Sequence, residues 1–184
     1  MRVFLGIGLP SQIRSRVKEF ANSISPHLPR MKWVEEENIH ITLKFFGETE
    51  PEKVDKISEI LSTPLKSVKT FNVTLEKLGA FPNSKKARVL WWGLSEGETE
   101  CVQLFAGIES TLIKQGFPKE EKTYHPHITL ARLKFPQSLA LDSLPAPTDL
   151  SFLATCVTLY ESVLTPNGPI YTIIKEFSFD KEAG

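Results

Sequence analysis

The stretch His40-Ile41-Thr42-Leu43 recurs unchanged as His127-Ile128-Thr129-Leu130, and the reading of this pair decides the fold. In an extended strand, successive side chains alternate between two faces. His and Thr of each copy therefore share one face, while Ile41 and Leu43, or Ile128 and Leu130, take the opposite, apolar one. Each copy can anchor itself in a core and still show an imidazole and a hydroxyl outward. The context repeats as well: strand, helix, then His-x-Thr strand runs from Arg2 to Phe46 and again from Ala87 to Leu133. Such a twofold pattern predicts an α+β fold of two pseudo-symmetric lobes. No low-complexity linker parts them, so a single bilobal domain is expected over residues 1–184.

Outward from the motifs, the remaining elements follow from periodicity. Arg2–Gly8 is a short apolar run, read as a buried strand. Ser11 is placed to cap a helix whose Ile13, Val17, Phe20, Ala21 and Ile24 fall at three-to-four spacing. Met31–Val34 reads as a short approach segment and Glu35–Glu37 as a solvated turn. Thr49 and Glu52 fit a capping box with Pro51 in the first turn, ahead of the stripe Val54, Ile57, Ile60 and Leu61. A strand around Phe71, Val73 and Leu75 gives way to a loop at Gly79–Asn83, and Ala87–Leu94 is a further strand. Val102, Phe105, Ile108, Leu112 and Ile113 mark a helix ended by Gly116. The second motif strand is expected over Tyr124–Leu133, then an extended connection over Pro136–Leu150. Strands at Ala154–Glu161 and Ile170–Phe177 are joined by the turn Pro166-Asn167-Gly168-Pro169, and Asp180–Gly184 should fray.

Composition narrows the function classes. Apolar content of 41% and charged content of 24% are those of a globular chain. A formal net charge of zero removes any global attraction to nucleic acid or anionic membrane, although it does not exclude a local basic cleft. Met1–Leu9 is too short to span a bilayer and lacks a signal-peptide layout, so no membrane partner is expected and the protein is placed in the cytoplasm. Cys101 and Cys156 sit in apolar patterns and read as buried thiols of a reducing compartment.

Two imidazoles, each with an ordinary pKa of roughly 6.5, suit an acid–base pair near neutral pH. Each contributes about 10²–10⁴-fold when correctly placed. A phosphodiester matches the pair: attacking water must lose a proton and the departing oxygen must gain one. Thr42 and Thr129 add hydroxyl donors for phosphate oxygens, which stabilise charge without a metal. Ring strain in a cyclic phosphate eases departure further. The residues alone permit either histidine to be the acid. Lys44 falls on the face of His40 and Thr42, and Phe45 falls with the core. Strict alternation puts Arg132 on the apolar face, so it reaches a phosphate only where a bulge or strand end reorients it. His125 reads as surface decoration rather than a partner of His127, and His27 has no evident role. Trp33, Phe81, Trp91 and Trp92 are candidates for base stacking, with core packing the simpler reading for most of them. The alternation offers no metal-ligand set: Thr129 stands where a third histidine would be, and no carboxylate or cysteine lies at ligand spacing. No Gly-rich phosphate loop and no Gly-x-Ser-x-Gly elbow is present.

Taken together, these residues resemble the 2H phosphoesterase superfamily and, more closely, the RNA 2′,3′-cyclic phosphodiesterases of the 2′-5′ RNA ligase family. The likeness rests on Met1–Phe4, Asn38–Gly47, Gly79–Pro82 with Arg88–Trp91, Pro126–Arg132, Leu159–Ser162 and Gly168–Tyr171. It implies antiparallel sheets facing a central cleft, with helices outside. It implies hydrolysis of a terminal 2′,3′-cyclic phosphate on RNA to a 2′-phosphate, with His40 as proton donor and His127 as proton acceptor. Substrate-binding roles fall to Thr42, Thr129 and Arg132. No metal or other cofactor is expected, the partner is an RNA or oligonucleotide with a cyclic phosphate end, and the chain should be a monomer. Weak reverse 2′-5′ ligation is possible by microscopic reversibility. Alternatives are a relative acting on ADP-ribose cyclic phosphate or a 2′-5′ oligonucleotide, and a non-catalytic RNA-end-binding module.

Overall fold

The computed structural model describes residues 1–145, 147–148 and 150–181. Among them, nine strands form one antiparallel sheet backed by three α-helices. The strands are β1 (Arg2–Gly8), β2 (Lys32–Trp33), β3 (His40–Glu48), β4 (Phe71–Phe81), β5 (Ala87–Glu96), β6 (His127–Gln137), β7 (Leu150–Ala154), β8 (Cys156–Thr165) and β9 (Gly168–Ser178). The helices are α1 (Ser11–Ile24), α2 (Pro51–Lys66) and α3 (Glu98–Lys114). Eight strands lie in the order β7-β4-β5-β6-β3-β1-β8-β9, with β2 set separately against β6. The order splits at its middle into two four-stranded halves. In each half a motif strand is innermost and the strand that opened its repeat lies beside it.

Among the described residues the halves meet in one registered pair, Ile41 with Ile128, and both side chains are fully buried. Beyond that rung β3 and β6 part. β6 takes β2 as a partner, through Lys32 with Arg132 and Trp33 with Ala131, while β3 continues beside β1. The divergence leaves a cleft between the halves. The helices tie the repeats together crosswise: Phe20 of α1 packs on Trp92 of β5 at 4.6 Å, and Glu109 of α3 pairs with Lys44 of β3. Val17, Ala21 and Ile24 are the buried stripe of α1, Val54, Ile57, Leu61 and Leu65 that of α2, as the three-to-four spacing requires.

Several boundaries differ from the sequence reading. Ser11 opens α1 but does not cap it, since Pro10 holds the cap position. Thr49 donates its hydroxyl to the Gly47 carbonyl, and Glu50 precedes α2 instead. The expected loop at Gly79–Asn83 is strand as far as Phe81, because β5 pairs with it out to Val89. β7 begins at the last residue of the expected connection and fills the stretch up to Ala154 by pairing Leu150–Ala154 with β4, so that the strand expected from Ala154 starts instead at Cys156. The second motif strand starts at His127 rather than Tyr124 and extends to Gln137. Asp180 is docked, not frayed: its N–H donates to Val68 and its carbonyl accepts from Thr70. Residues 182–184 lie outside the described residues. Cys101 is buried as expected, whereas Cys156 is only half-buried, and both are free thiols.

Candidate active site

The four motif residues surround the central rung. With Ile41 opposite Ile128, antiparallel register sets His40 across from Thr129 and Thr42 across from His127. The imidazoles are thus diagonal neighbours on the face opposite the core, and each has a hydroxyl beside it. In both strands the motif holds its ring in the same way. His40 Nδ1 lies 2.7 Å from the Asn38 carbonyl, and His127 Nδ1 lies 2.7 Å from the His125 carbonyl. A carbonyl only accepts, so each Nδ1–H donates and each neutral ring keeps an unprotonated Nε2. Thr42 Oγ1 stands 2.9 Å from His40 Nε2 and donates to it.

Burial in these apolar walls disfavours the imidazolium. It lowers His40 to about 4 against the support of the Asn38 carbonyl, with the charges of His127 and Arg132 adding to the effect. His127 is lowered too, again by burial first, with Arg132 and His125 contributing and the His125 carbonyl opposing. The walls differ in kind. His40 lies against Phe4 at 4.9 Å and Tyr171 at 5.4 Å, over Gly6, where an added Cβ would come 3.2 Å from the His40 ring. His127 meets Phe81 at 5.0 Å and Trp91 at 6.1 Å. The Trp91 indole lies flat across Gly79, where a Cβ would fall 2.1 Å from the ring, so only glycine leaves the indole its seat.

A bulge in each motif strand decides which later residues reach the cleft. Pairing of β1 with β3 steps from Gly6–Thr42 to Leu5–Lys44, leaving Leu43 extra. Pairing of β5 with β6 steps from Trp91–Thr129 to Leu90–Ala131, leaving Leu130 extra. An extra residue inverts the alternation after it. Arg132 therefore turns into the cleft beside Thr129, by the bulge on which its access depended. The same inversion overturns two expectations in the first half. Lys44 is 6% exposed on the core side and paired with Glu109, so it adds no charge to the site. Phe45 is 45% exposed and lines the cleft instead of the core.

The cleft has a volume of about 760 Å³. His40, Thr42, Thr129 and Arg132 line it, with Arg2, Lys32 and Trp33 among the other walls. His127 is set beside it, in its aromatic sleeve. Trp92 is fully buried in the core, so of the four candidate stacking rings only Trp33 faces this cleft, while Phe81 and Trp91 flank His127. His125 is exposed and serves through its carbonyl rather than its ring.

Three positions were not singled out by the sequence reading. Asn38 is buried, gives its carbonyl to His40, and donates through Nδ2 to the Pro169 carbonyl at 2.8 Å, joining the β8–β9 turn to the site. Tyr124 donates its hydroxyl to the Thr42 carbonyl at 3.1 Å, tying the approach to His127 onto the other motif strand. Tyr171 packs edge-on against His40. The signal for the first was its place two residues before a motif histidine; the other two carry no local pattern. Among the described residues no three His, Cys, Asp or Glu side chains gather at metal-ligand spacing, and no helix is long and apolar enough to cross a membrane.

The family model for LigT-like phosphoesterases matches residues 7–91 and 94–171. An RNA 2′,3′-cyclic phosphodiesterase from Methanocaldococcus jannaschii is 38% identical over 182 residues, 96% of this chain and 100% of that protein. One from Archaeoglobus fulgidus is 36% identical over 180 residues, 96% and 99% of the two chains. Among solved structures, a Thermus thermophilus protein superposes with a TM-score of 0.85 at 27% identity, covering 99% of this chain and 100% of its own. Escherichia coli LigT complexed with 3′-AMP gives 0.80 at 29% identity, with 97% of each chain covered. The chain belongs to the LigT-like phosphoesterases, within the 2H phosphoesterase superfamily.

Proposed function

We propose that this phosphoesterase hydrolyses the 2′,3′-cyclic phosphate at the end of an RNA to a 2′-phosphate, using His40 and His127 as its proton-transfer pair. The observation that carries the reading is the matched pair of Nδ1–carbonyl bonds, which leaves a basic Nε2 on each ring around one rung. The phosphate lies in the cleft over that rung. Thr129 donates to its oxygens, Thr42 does so once His40 Nε2 takes a proton and no longer accepts from it, and the Arg132 guanidinium, which has no carboxylate partner among the described residues, balances its charge. His127 takes a proton from water as the water oxygen bonds to phosphorus. The bond from phosphorus to O3′ breaks, and His40 delivers a proton to O3′. One water is consumed, and the two rings exchange protons with solvent to reset.

Both rings are neutral at pH 7 in the free protein, as burial dictates. An anionic phosphate placed between them favours the imidazolium. His40 thus gains the proton that it later donates when substrate binds. Both protons move through imidazole, so the scheme assigns no step to a metal.

The test is turnover of an RNA ending in a 2′,3′-cyclic phosphate, with the product identified as 2′- or 3′-phosphate by ³¹P NMR. His40→Ala and His127→Ala are each expected to lower kcat by about 10²–10⁴-fold. Near-normal turnover by either variant, or a 3′-phosphate product, overturns the scheme. Tight, salt-dependent binding without turnover by the unmodified protein would make it an end-binding module instead.

A further inference from the structure

The bulge that carries Arg132 to the phosphate does something different in the first half. There the corresponding position is Phe45, an aromatic ring open to the cleft. Its ring is not bare: the Arg2 guanidinium lies over it, 4.9 Å from the centroid, and Arg2 also lines the cleft. Arg2 is half-buried and has no carboxylate within ion-pair distance among the described residues. Glu48, its register partner across β1 and β3, is 3.6 Å from the Met1 ammonium instead. Lys32 is a further cation of the cleft, and Glu35 and Glu37 are the carboxylates that offset it, on the β2 side. Glu35 is itself paired with Lys18 at 3.4 Å.

The placement of Arg2 matters more than its charge. His40 touches the ring of Phe4, Phe4 stacks on Phe45 at 6.4 Å, and Arg2 covers Phe45. Two aromatic rings thus stand between His40 and the guanidinium. In register Arg2 lies across from Glu48, six residues along β3 from Thr42, and so stands well along the cleft from the central rung, where Arg132 already serves. A cleft with one cation at the reacting phosphate and a second beyond a pair of stacked rings is matched to a ligand with two phosphates and a flat group between. A mononucleoside cyclic phosphate has one phosphate. An RNA end has the next phosphodiester a nucleotide upstream.

We infer that Arg2 and Phe45 form an upstream nucleotide subsite, Arg2 holding the phosphodiester 5′ to the cyclic end and Phe45 seating the guanidinium while its exposed edge meets the adjoining ribose or base. This deepens the cyclic phosphodiesterase reading and rests on it. The subsite makes the protein select polynucleotide ends over mononucleotides.

The experiment compares kcat/KM for adenosine 2′,3′-cyclic phosphate with that for the dinucleotide ApA ending in a 2′,3′-cyclic phosphate. The measurements use the full chain, intact by thermal unfolding, at two salt concentrations. The unmodified protein is expected to prefer the dinucleotide, less so at high salt. Arg2→Gln and Phe45→Ala should each cut that preference by about 10-fold, and Arg2→Lys should retain part of it. No dinucleotide preference in the unmodified protein, or an undiminished one in Arg2→Gln, overturns the subsite. Equal losses on both substrates would put Arg2 at the reacting phosphate and also overturn it. Turnover of neither substrate by the unmodified protein overturns the underlying activity instead.

Discussion

The two halves carry the same four motif residues, the same Nδ1–carbonyl bond and a bulge at the same leucine, yet they treat their histidines differently. His40 has its Nε2 occupied by Thr42 and lies over a glycine against Phe4. His127 sits in a sleeve of Phe81 and Trp91. After the bulge the first half sends a lysine inward and a phenylalanine outward, whereas the second sends Ala131 inward and Arg132 outward. The difference teaches that the two repeats share the hardware for holding an imidazole while the positions after it serve separate tasks. In the first half the inward residue braces the fold; in the second the outward residue serves the ligand.

The largest break in this comparison comes from the inward position. Lys44→Met leaves the buried Glu109 carboxylate without its cation, supported among the described residues by the Glu120 N–H at 2.8 Å. Unfolding in urea should show a loss of about 3–5 kcal/mol, most of it recovered in the double variant Lys44→Met/Glu109→Leu. A loss below about 1 kcal/mol would mean that the pair does not brace the halves.

Next in size is the outward position of the second half. Arg132→Gln removes the cation from the phosphate and should lower kcat/KM for an RNA cyclic phosphate by roughly 10–100-fold, the worth of about 1.5–3 kcal/mol for a charged hydrogen bond. Steady-state kinetics on both variants should find Phe45→Ala milder than Arg132→Gln on a mononucleoside substrate. The reverse order would exchange the tasks assigned to the two positions.

The smallest effect concerns protons. Burial holds both imidazoles below the ordinary 6.5, and the Arg132 charge lowers both as well. The pH profile of kcat/KM reports the free protein, so its bell should centre on the acid side of 6.5. Its limbs belong to the pair rather than to either ring. Removing the guanidinium relieves repulsion, so Arg132→Gln should move the bell to higher pH. A profile centred above 6.5, or one that Arg132→Gln moves downward, would contradict this electrostatic account.

Much of this architecture was legible in the sequence because it depends on local pattern. Four matching residues in two matching contexts exposed the duplication, and apolar spacing gave the buried stripes of α1 and α2. Strict alternation was right for each motif through its leucine and wrong immediately after. Lys44, Phe45 and Arg132 all changed face because a bulge depends on how two strands settle into register, and that register involves residues far along the chain. β7 escaped notice for a related reason: Leu150–Ala154 becomes a strand through its pairing with β4, and five residues directly after a proline-bearing connection carry too short a pattern to announce it. Asn38 and Tyr124 act through backbone carbonyls and long-range bonds that leave no periodic trace.

The rung between Ile41 and Ile128 sets a point of reference for the whole molecule. The spacing of the two imidazoles is measured from that axis, not from the rim. Loops, turns and edge strands far from it can lengthen, shorten or change composition during divergence without altering the distance between the rings. The rung is thus the one place where the two repeats are held in register with each other among the described residues, and the sheet on either side is free to differ.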